Sequence, residues 1–351
     1  MSKRIGNIEI NTPPEGYKTS LRSRLIVAGI LFVTAVPTFI LGGWWYFFAI
    51  MAFLIVAIAE VIKAPRKKYN WFVYVATYAI IISFVYWMFF KGNMKAYEAD
   101  PDNFVFSLDK FYGGFEISVV GIAASLLIYC VVGILDKNFS LDDVAYFFFM
   151  SLLVGLGFQA FYYIRYYPVQ CCDNTAFASL TWGGMAYGEE LANTAAYQFF
   201  GSFELLLFAF IGPMFNDIAA YFGGVYFGKH KLNERISPKK TWEGFYWGFI
   251  VGFVVSAAFG IILAATGHPV LPFLTIDKWY WIVLVALLEP LFGTIGDLTF
   301  SLIKRYYNIK DYGNILRGHG GILDRADSII FSTIGVVIVL IFIGNGWNFL
   351  A

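Results

Sequence analysis

Apolar residues run along this chain in long blocks, separated by short polar stretches. A membrane-spanning helix takes roughly 20 apolar residues. That rule predicts about nine spans, near 25–42, 44–63, 71–90, 116–135, 144–164, 199–227, 242–265, 279–300 and 329–348. The sixth block is long and broken by glycines, so two shorter helices also fit it. Pro37 and Pro290 lie inside or at the ends of blocks and predict kinks. The expected fold class is an all-α polytopic membrane protein with about nine transmembrane helices.

Composition supports this pattern. Of 351 residues, 59% are hydrophobic and 14% charged, with a mean hydropathy of +0.66. A soluble domain carries about 25% charged residues, so there is too little polar material to cover a water-soluble core.

Charge sets the orientation. Basic clusters precede the first span (Lys3, Arg4, Lys18, Arg22, Arg24) and follow the second (Lys63, Arg66, Lys67, Lys68). Others follow the sixth (Lys229, Lys231, Arg235, Lys239, Lys240) and the eighth (Lys304, Arg305, Lys310, Arg317, Arg325). With nine spans all four fall on one side, which the positive-inside bias makes cytosolic. The N-terminus and the later polar loops are then cytosolic, and the C-terminus lies outside. The polar start of the chain predicts no removable signal peptide.

A net charge of +1 argues against a general nucleic-acid binder. Cys130, in an apolar run, is expected to pack as a small hydrophobe. Cys171 and Cys172 are expected in a loop, without histidines at zinc-ligand spacing. The expected organisation is a cytosolic segment 1–24, a transmembrane scaffold 25–198 and a catalytic region 199–351. Glu60 is an exception within the scaffold, a carboxylate near the cytosolic end of the second span.

The chemistry concentrates in two stretches. In 296–328, Asp297, Ser301 and Lys304 are spaced i, i+4 and i+7 and share a helical face, with Arg305 beside them. A glycine-punctuated loop with His319 follows, then Asp324, Arg325 and Asp327, the two acids being i and i+3. Carboxylates near a bilayer are costly and mark function. Carboxylates, cations and flexible glycines together suit phosphoryl-type transfer with a hard metal ion. The plainer reading, a basic loop anchored at headgroups, accounts poorly for so dense a set.

In 212–244, Asn216 and Asp217 lie inside the sixth block. Gly224 and Gly228 form a small-xxx-small pair suited to close helix packing. Ser237 is placed to cap the seventh span, with Pro238 in its first turn and Glu243 adding favourable charge. Lys239 and Lys240 at such a helix start predict a phosphate site, although ordinary positive-inside flanking accounts for them equally well.

These two stretches together resemble the phosphatidate cytidylyltransferase (CDP-diacylglycerol synthase) family. The signature appears as Ser301, Lys304-Arg305, Lys310-Asp311, His319-Gly320-Gly321 and Asp324-Arg325-Ala326-Asp327. The upstream stretch 216–244 is similar to the family's second motif, from Asn216-Asp217 to Ser237-Pro238-Lys239-Lys240. Two positions depart from the pattern. Arg317 stands where Pro or Gly is usual, and Phe300 stands where many members have an acid.

The resemblance implies transfer of CMP from CTP to phosphatidate, giving CDP-diacylglycerol and pyrophosphate in phospholipid biosynthesis. It implies a catalytic set of Asp297, Ser301, Lys304, Arg305, His319, Asp324, Arg325 and Asp327. Asn216, Asp217, Ser237, Lys239, Lys240, Lys310 and Asp311 would bind substrate. Asp297 and Asp324 would hold Mg²⁺, with a second metal ion left open, and His319 would position rather than act as a base. Expected partners are CTP, phosphatidate and membrane lipids, with no nucleic acid and a homodimer left open. Alternatives are a CTP-dependent lipid kinase, a cytidylyltransferase for another lipid phosphate, and a secondary transporter. Transporters tend to place binding residues at the midplane of paired repeats, whereas these polar groups cluster at span ends and loops.

Overall fold

The computed structural model describes residues 2–5, 8–11, 37–40, 43–106, 115, 117–172, 181–182, 185–186, 195–267, 269–271, 273–313 and 320–344. Eight long helices are present among them: α1 (Gly43–Lys63), α2 (Trp71–Ala99), α3 (Val119–Leu135), α4 (Leu141–Cys172), α5 (Ala195–Phe227), α6 (Trp242–Ala265), α7 (Trp279–Tyr306) and α8 (Leu323–Gly344). Seven of these carry stretches long and apolar enough to cross a membrane, and α3, with 17 residues, is shorter. The expected first span, 25–42, falls largely outside the described residues. Three two-stranded antiparallel hairpins complete the set: β1 (Ser2–Ile5) with β2 (Ile8–Asn11), β3 (Thr181–Trp182) with β4 (Met185–Ala186), and β5 (Lys231–Asn233) with β6 (Ser237–Thr241).

Helix α4 is the hub of the N-terminal half. It packs on α1, α2 and α3 and also on α5 and α8. Its membrane-length stretch, Leu141–Tyr166, is the most buried of the seven. A ring cluster surrounds Tyr162, including Tyr46, Phe47, Tyr86 and Phe89. On the side bearing the 64–70 loop, the buried Asp143 carboxylate accepts from Lys67 Nζ (2.6 Å), Tyr69 Oη (3.0 Å) and Ser140 N (2.8 Å). That set fixes the loop after α1 to the start of α4. Burial and the neighbouring Asp143 push the Tyr69 phenol up, so it stays a donor.

The C-terminal half is a tight bundle of α5, α6, α7 and α8. Gly244, Gly248, Gly252 and Gly260 are buried along α6, with Ser256 in the same series. This stripe faces α5. A Cβ on Gly248 would lie 2.6 Å from the Asn216 carbonyl, and one on Gly252 would lie 2.7 Å from that of Gly212. Small residues thus let two backbones touch, which is how helices associate where apolar burial gives no net drive. Gly248→Leu is therefore expected to destabilise the protein by about 1–3 kcal/mol through overpacking, seen as a lower melting temperature in detergent.

Several expectations change. The sixth block is one continuous helix, α5, with Pro213 inside it. Pro213 removes one ladder donor, but the packing of α6 and α7 holds the helix together across it. Ser237 and Pro238 do not begin span seven, because 237–241 pairs as strand β6. The cap is Thr241, whose hydroxyl accepts from Gly244 N at 3.2 Å. Cys171 and Cys172 close helix α4 rather than sitting in a loop. Cys130 is exposed on α3 rather than packed in a core. Helix α8 begins at Leu323, six residues before the apolar block, and so takes Asp324 and Asp327 into its first turns. Polar residues there hid the helix from a hydropathy count.

Candidate functional site

Three helices and one hairpin bring the charged residues together. Helix α5 supplies Asn216 and Asp217, α7 supplies Asp297, Ser301 and Lys304, and α8 supplies Asp324, Asp327 and Ser328. Strand β6 supplies Lys240. Close approach of α7 and α8 depends on Gly296, where a Cβ would lie 2.5 Å from the Asp327 carbonyl.

On α7 the predicted shared face is present. Ser301 Oγ donates to Asp297 Oδ1 at 3.3 Å, and Lys304 follows one turn later. Asp297 Oδ2 is paired with Lys240 Nζ. Lys304 Nζ lies 2.9 Å from Asp324 Oδ1 and 3.8 Å from Asp327 Oδ2, so the i, i+3 acids of α8 share one ammonium. Lys304 is 8% exposed. Asp217 Oδ2 accepts from Ser328 Oγ at 2.8 Å, and Asn216 Nδ2 reaches Thr294 Oγ1 at 3.3 Å. Asp217, Asp297 and Asp327 lie within electrostatic reach of one another. Four carboxylates therefore meet two lysines in one place.

The loop between α7 and α8 is organised by Asp324. Its Oδ2 accepts from Tyr312 N (2.7 Å) and Gly321 N (2.9 Å). Tyr312 also lies under Lys304, 5.6 Å from ring centroid to Nζ. Burial first, then the charges of Asp324 and Asp327, pushes the Tyr312 phenol up. Gly320 has φ +82°, and a Cβ there would lie 2.8 Å from Asp324 Oδ2, so glycine suits both the turn and the acid beside it. His319 and Arg317 lie outside the described residues.

The hairpin is pinned at its base by Glu243, the second residue of α6. Its carboxylate accepts from Lys229 N (3.0 Å) and His230 N (3.2 Å), and its Oε1 is 2.6 Å from His230 Nδ1. Asn233 Oδ1 accepts from Ile236 N at 3.2 Å and closes the turn. Strand alternation then separates the two lysines. Lys240 turns toward Asp297, and Lys239 is exposed.

Other expected residues sit differently. Arg305 donates to the carbonyls of Ile236 (3.2 Å) and Ile309 (3.1 Å), tying the hairpin to the end of α7. Ser237 pairs with Asn233 in the hairpin. Lys310, Asp311 and Arg325 are exposed. Phe300 is fully buried and packs edge-on against Tyr312 and Phe331. That position faces the core, so an aromatic there leaves the acid cluster intact.

Sequence reasoning gave Glu60 no role in the site. Its two oxygens accept from Ile322 N (3.0 Å) and Leu323 N (2.9 Å) at the start of α8. The available signal was a carboxylate alone at the end of an apolar span.

The fold and site define a polytopic membrane protein in which lysines and aspartates gather where three helices and a hairpin meet. A family model described as the cytidylyltransferase family matches residues 22–343, and the chain belongs to that family. It is similar to the phosphatidate cytidylyltransferase of Bacillus subtilis strain 168, 28% identical over 307 residues, covering 87% of this chain and 91% of that protein. It is also similar to the phosphatidate cytidylyltransferases of Staphylococcus aureus strain COL and Staphylococcus epidermidis strain RP62A. These are 35% and 33% identical over 216 residues, covering 61% of this chain and 65% and 66% of the relatives.

Proposed function

We propose that this protein transfers a cytidylyl group from CTP to phosphatidate, producing CDP-diacylglycerol and pyrophosphate. The observation that carries this reading is the convergence of Lys240, Lys304, Asp297, Asp324 and Asp327 from hairpin and helices, within a chain of this family. An oxygen of the lipid phosphate monoester attacks the α-phosphorus of CTP. The bond to the β-phosphate oxygen breaks, and pyrophosphate leaves with that electron pair. The attacking oxygen is already ionised, so the site needs no strong base. Its task is to hold anions together in line.

Lys240 and Lys304 are the cations placed for that task. Each is paired with a carboxylate in the structure, and phosphate oxygens would compete for both. Ser301 keeps the Asp297 carboxylate oriented. The remaining acids make the cluster negative overall, so an anionic nucleotide settles there only with further positive charge. The donor set fits Mg²⁺, being hard oxygen throughout. Among the described residues no group of three or more such side chains is placed to hold a metal ion; Mg²⁺ commonly takes one or two carboxylates and completes its shell with water and substrate phosphates. Held by Asp297 and Asp324, such an ion would neutralise charge on the transferring phosphoryl group. Acyl chains reach the site from the bilayer, between helices.

The site faces the cytosol in this reading, as the basic loops argue. In a background lacking native cysteines, single cysteines replacing the exposed Arg235 and Tyr306 are expected to react with an impermeant thiol reagent from the cytosolic side alone. Labelling of both from outside overturns the orientation. The activity is tested by incubating purified protein with CTP and phosphatidate, then identifying CDP-diacylglycerol by mass. Formation of no cytidylyl lipid overturns the reading.

A further inference from the structure

We propose that Glu60, on α1 in the N-terminal half, is a positioning residue of the transfer site. Its carboxylate seats the first turn of α8 and so sets where Asp324 and Asp327 stand. The inference rests on the reading of those two acids as part of the transfer machinery.

Helix N-termini leave donors unsatisfied, and a side chain at the cap usually takes one. Gly321 and Ile322, which precede α8, offer no such side chain. Two carboxylates take them instead, Asp324 from the helix's own first turn and Glu60 from α1. Gly321 N goes to Asp324 Oδ2, Ile322 N to Glu60 Oε1 and Leu323 N to Glu60 Oε2. Glu60 thus grips two consecutive N–H groups across about 260 residues of sequence, and its negative charge suits the helix dipole. Glu60 is 3% exposed.

The two glycines flanking the loop are packed on the same group. A Cβ on Gly313 or on Gly321 would collide with Glu60 Oε1. The carboxylate is therefore enclosed by both ends of the loop that carries the signature, while α1 is itself anchored by Tyr146 Oη donating to the Val61 carbonyl at 3.0 Å. Asp324 stands one residue after Leu323 and Asp327 one turn further, both reaching Lys304. A shift of the first turn of α8 moves both acids relative to the Lys304 ammonium, which α7 holds.

The test uses the full chain in detergent, with Glu60→Ala, Glu60→Gln and, as a packing control, Tyr146→Phe, which loosens the adjacent residue of α1. Three quantities are read: kcat, KM for CTP, and amide hydrogen exchange of peptides covering 320–327 and 242–265. Glu60→Ala is expected to lower kcat by about ten- to a hundredfold, the range for loss of charge-assisted bonds, with KM changing less than about threefold. Exchange should quicken at 320–327 and stay unchanged at 242–265. Glu60→Gln, with one acceptor oxygen instead of two, should fall between, by at least about fivefold. Tyr146→Phe should melt earlier yet keep its kcat. If Glu60→Ala fails to fold, Glu60→Gln decides. A folded Glu60→Gln with kcat within about twofold of wild type, or a fall in kcat with unchanged exchange at 320–327, overturns the proposal. So does quickened exchange in both peptides with a kcat loss matched by Tyr146→Phe. Absence of any lipid product from the wild type would instead sink the transfer reading, and the exchange arm would still report whether Glu60 holds the segment.

Discussion

Asp297→Ala and Asp324→Ala are each expected to lose roughly a thousandfold or more in turnover. Losing a charge-neutralising ligand at the transferring phosphoryl group costs several kcal/mol of transition-state stabilisation, and each 1.36 kcal/mol is about tenfold. The two variants should differ in stability. The Asp297 side chain is a quarter exposed, and its removal frees Lys240 at little structural cost. Asp324 is nearly enclosed and holds Lys304, Tyr312 N and Gly321 N. Truncating it leaves the buried Lys304 with Asp327 alone, 3.8 Å away, and frees two backbone donors, so this variant should also lose stability. Asp324→Asn keeps the shape and is the fairer test there. Chelation of divalent cations should abolish wild-type turnover, with recovery on adding Mg²⁺. Specific activity per folded molecule is the measurement, and near-normal turnover in either alanine variant rules that residue out as an essential ligand.

Lys240→Gln is expected to lower kcat/KM for CTP by roughly ten- to a hundredfold, while Lys239→Gln changes it no more than a few-fold. A charge-assisted contact contributes about 1.5–3 kcal/mol. The two residues are adjacent and carry the same charge, so any effect on membrane orientation should be nearly equal for both. Strand β6 separates them. Lys240 turns to Asp297, and Lys239 is exposed. If the pair serves only as positive-inside flanking, both variants should insert slightly less well and then work at full rate. Full activity of Lys240→Gln, normalised to folded protein, would remove this lysine from the phosphate site.

The helices were legible because hydropathy and length carry the signal for a bilayer span. The face shared by Asp297, Ser301 and Lys304 was legible from helical spacing, and so was the common face of the i, i+3 pair Asp324 and Asp327, which both lie beside Lys304. What sequence could not show follows from long-range contacts. The pairing of Asp297 with Lys240 spans two elements, as does that of Asp217 with Ser328. The segment 237–241 reads as a helix start because Ser-Pro before an apolar run fits a cap. Tertiary pairing with 231–233 overrode that local preference. The charge of Arg305 is plain in the sequence, but not that its Nε and Nη1 donate to the carbonyls of Ile236 and Ile309. Glu60 stood out as a carboxylate in an apolar span, but its partners lie at the other end of the chain.

The central claim is that the α-phosphorus of CTP ends on the lipid. Purified protein should be given phosphatidate with CTP labelled either at the α- or at the γ-phosphate. Label from the α-position should appear in the lipid phase as CDP-diacylglycerol, and label from the γ-position should appear in water-soluble pyrophosphate. Lipid labelled from the γ-position, or from neither, would contradict the account, the first outcome marking a CTP-dependent kinase instead.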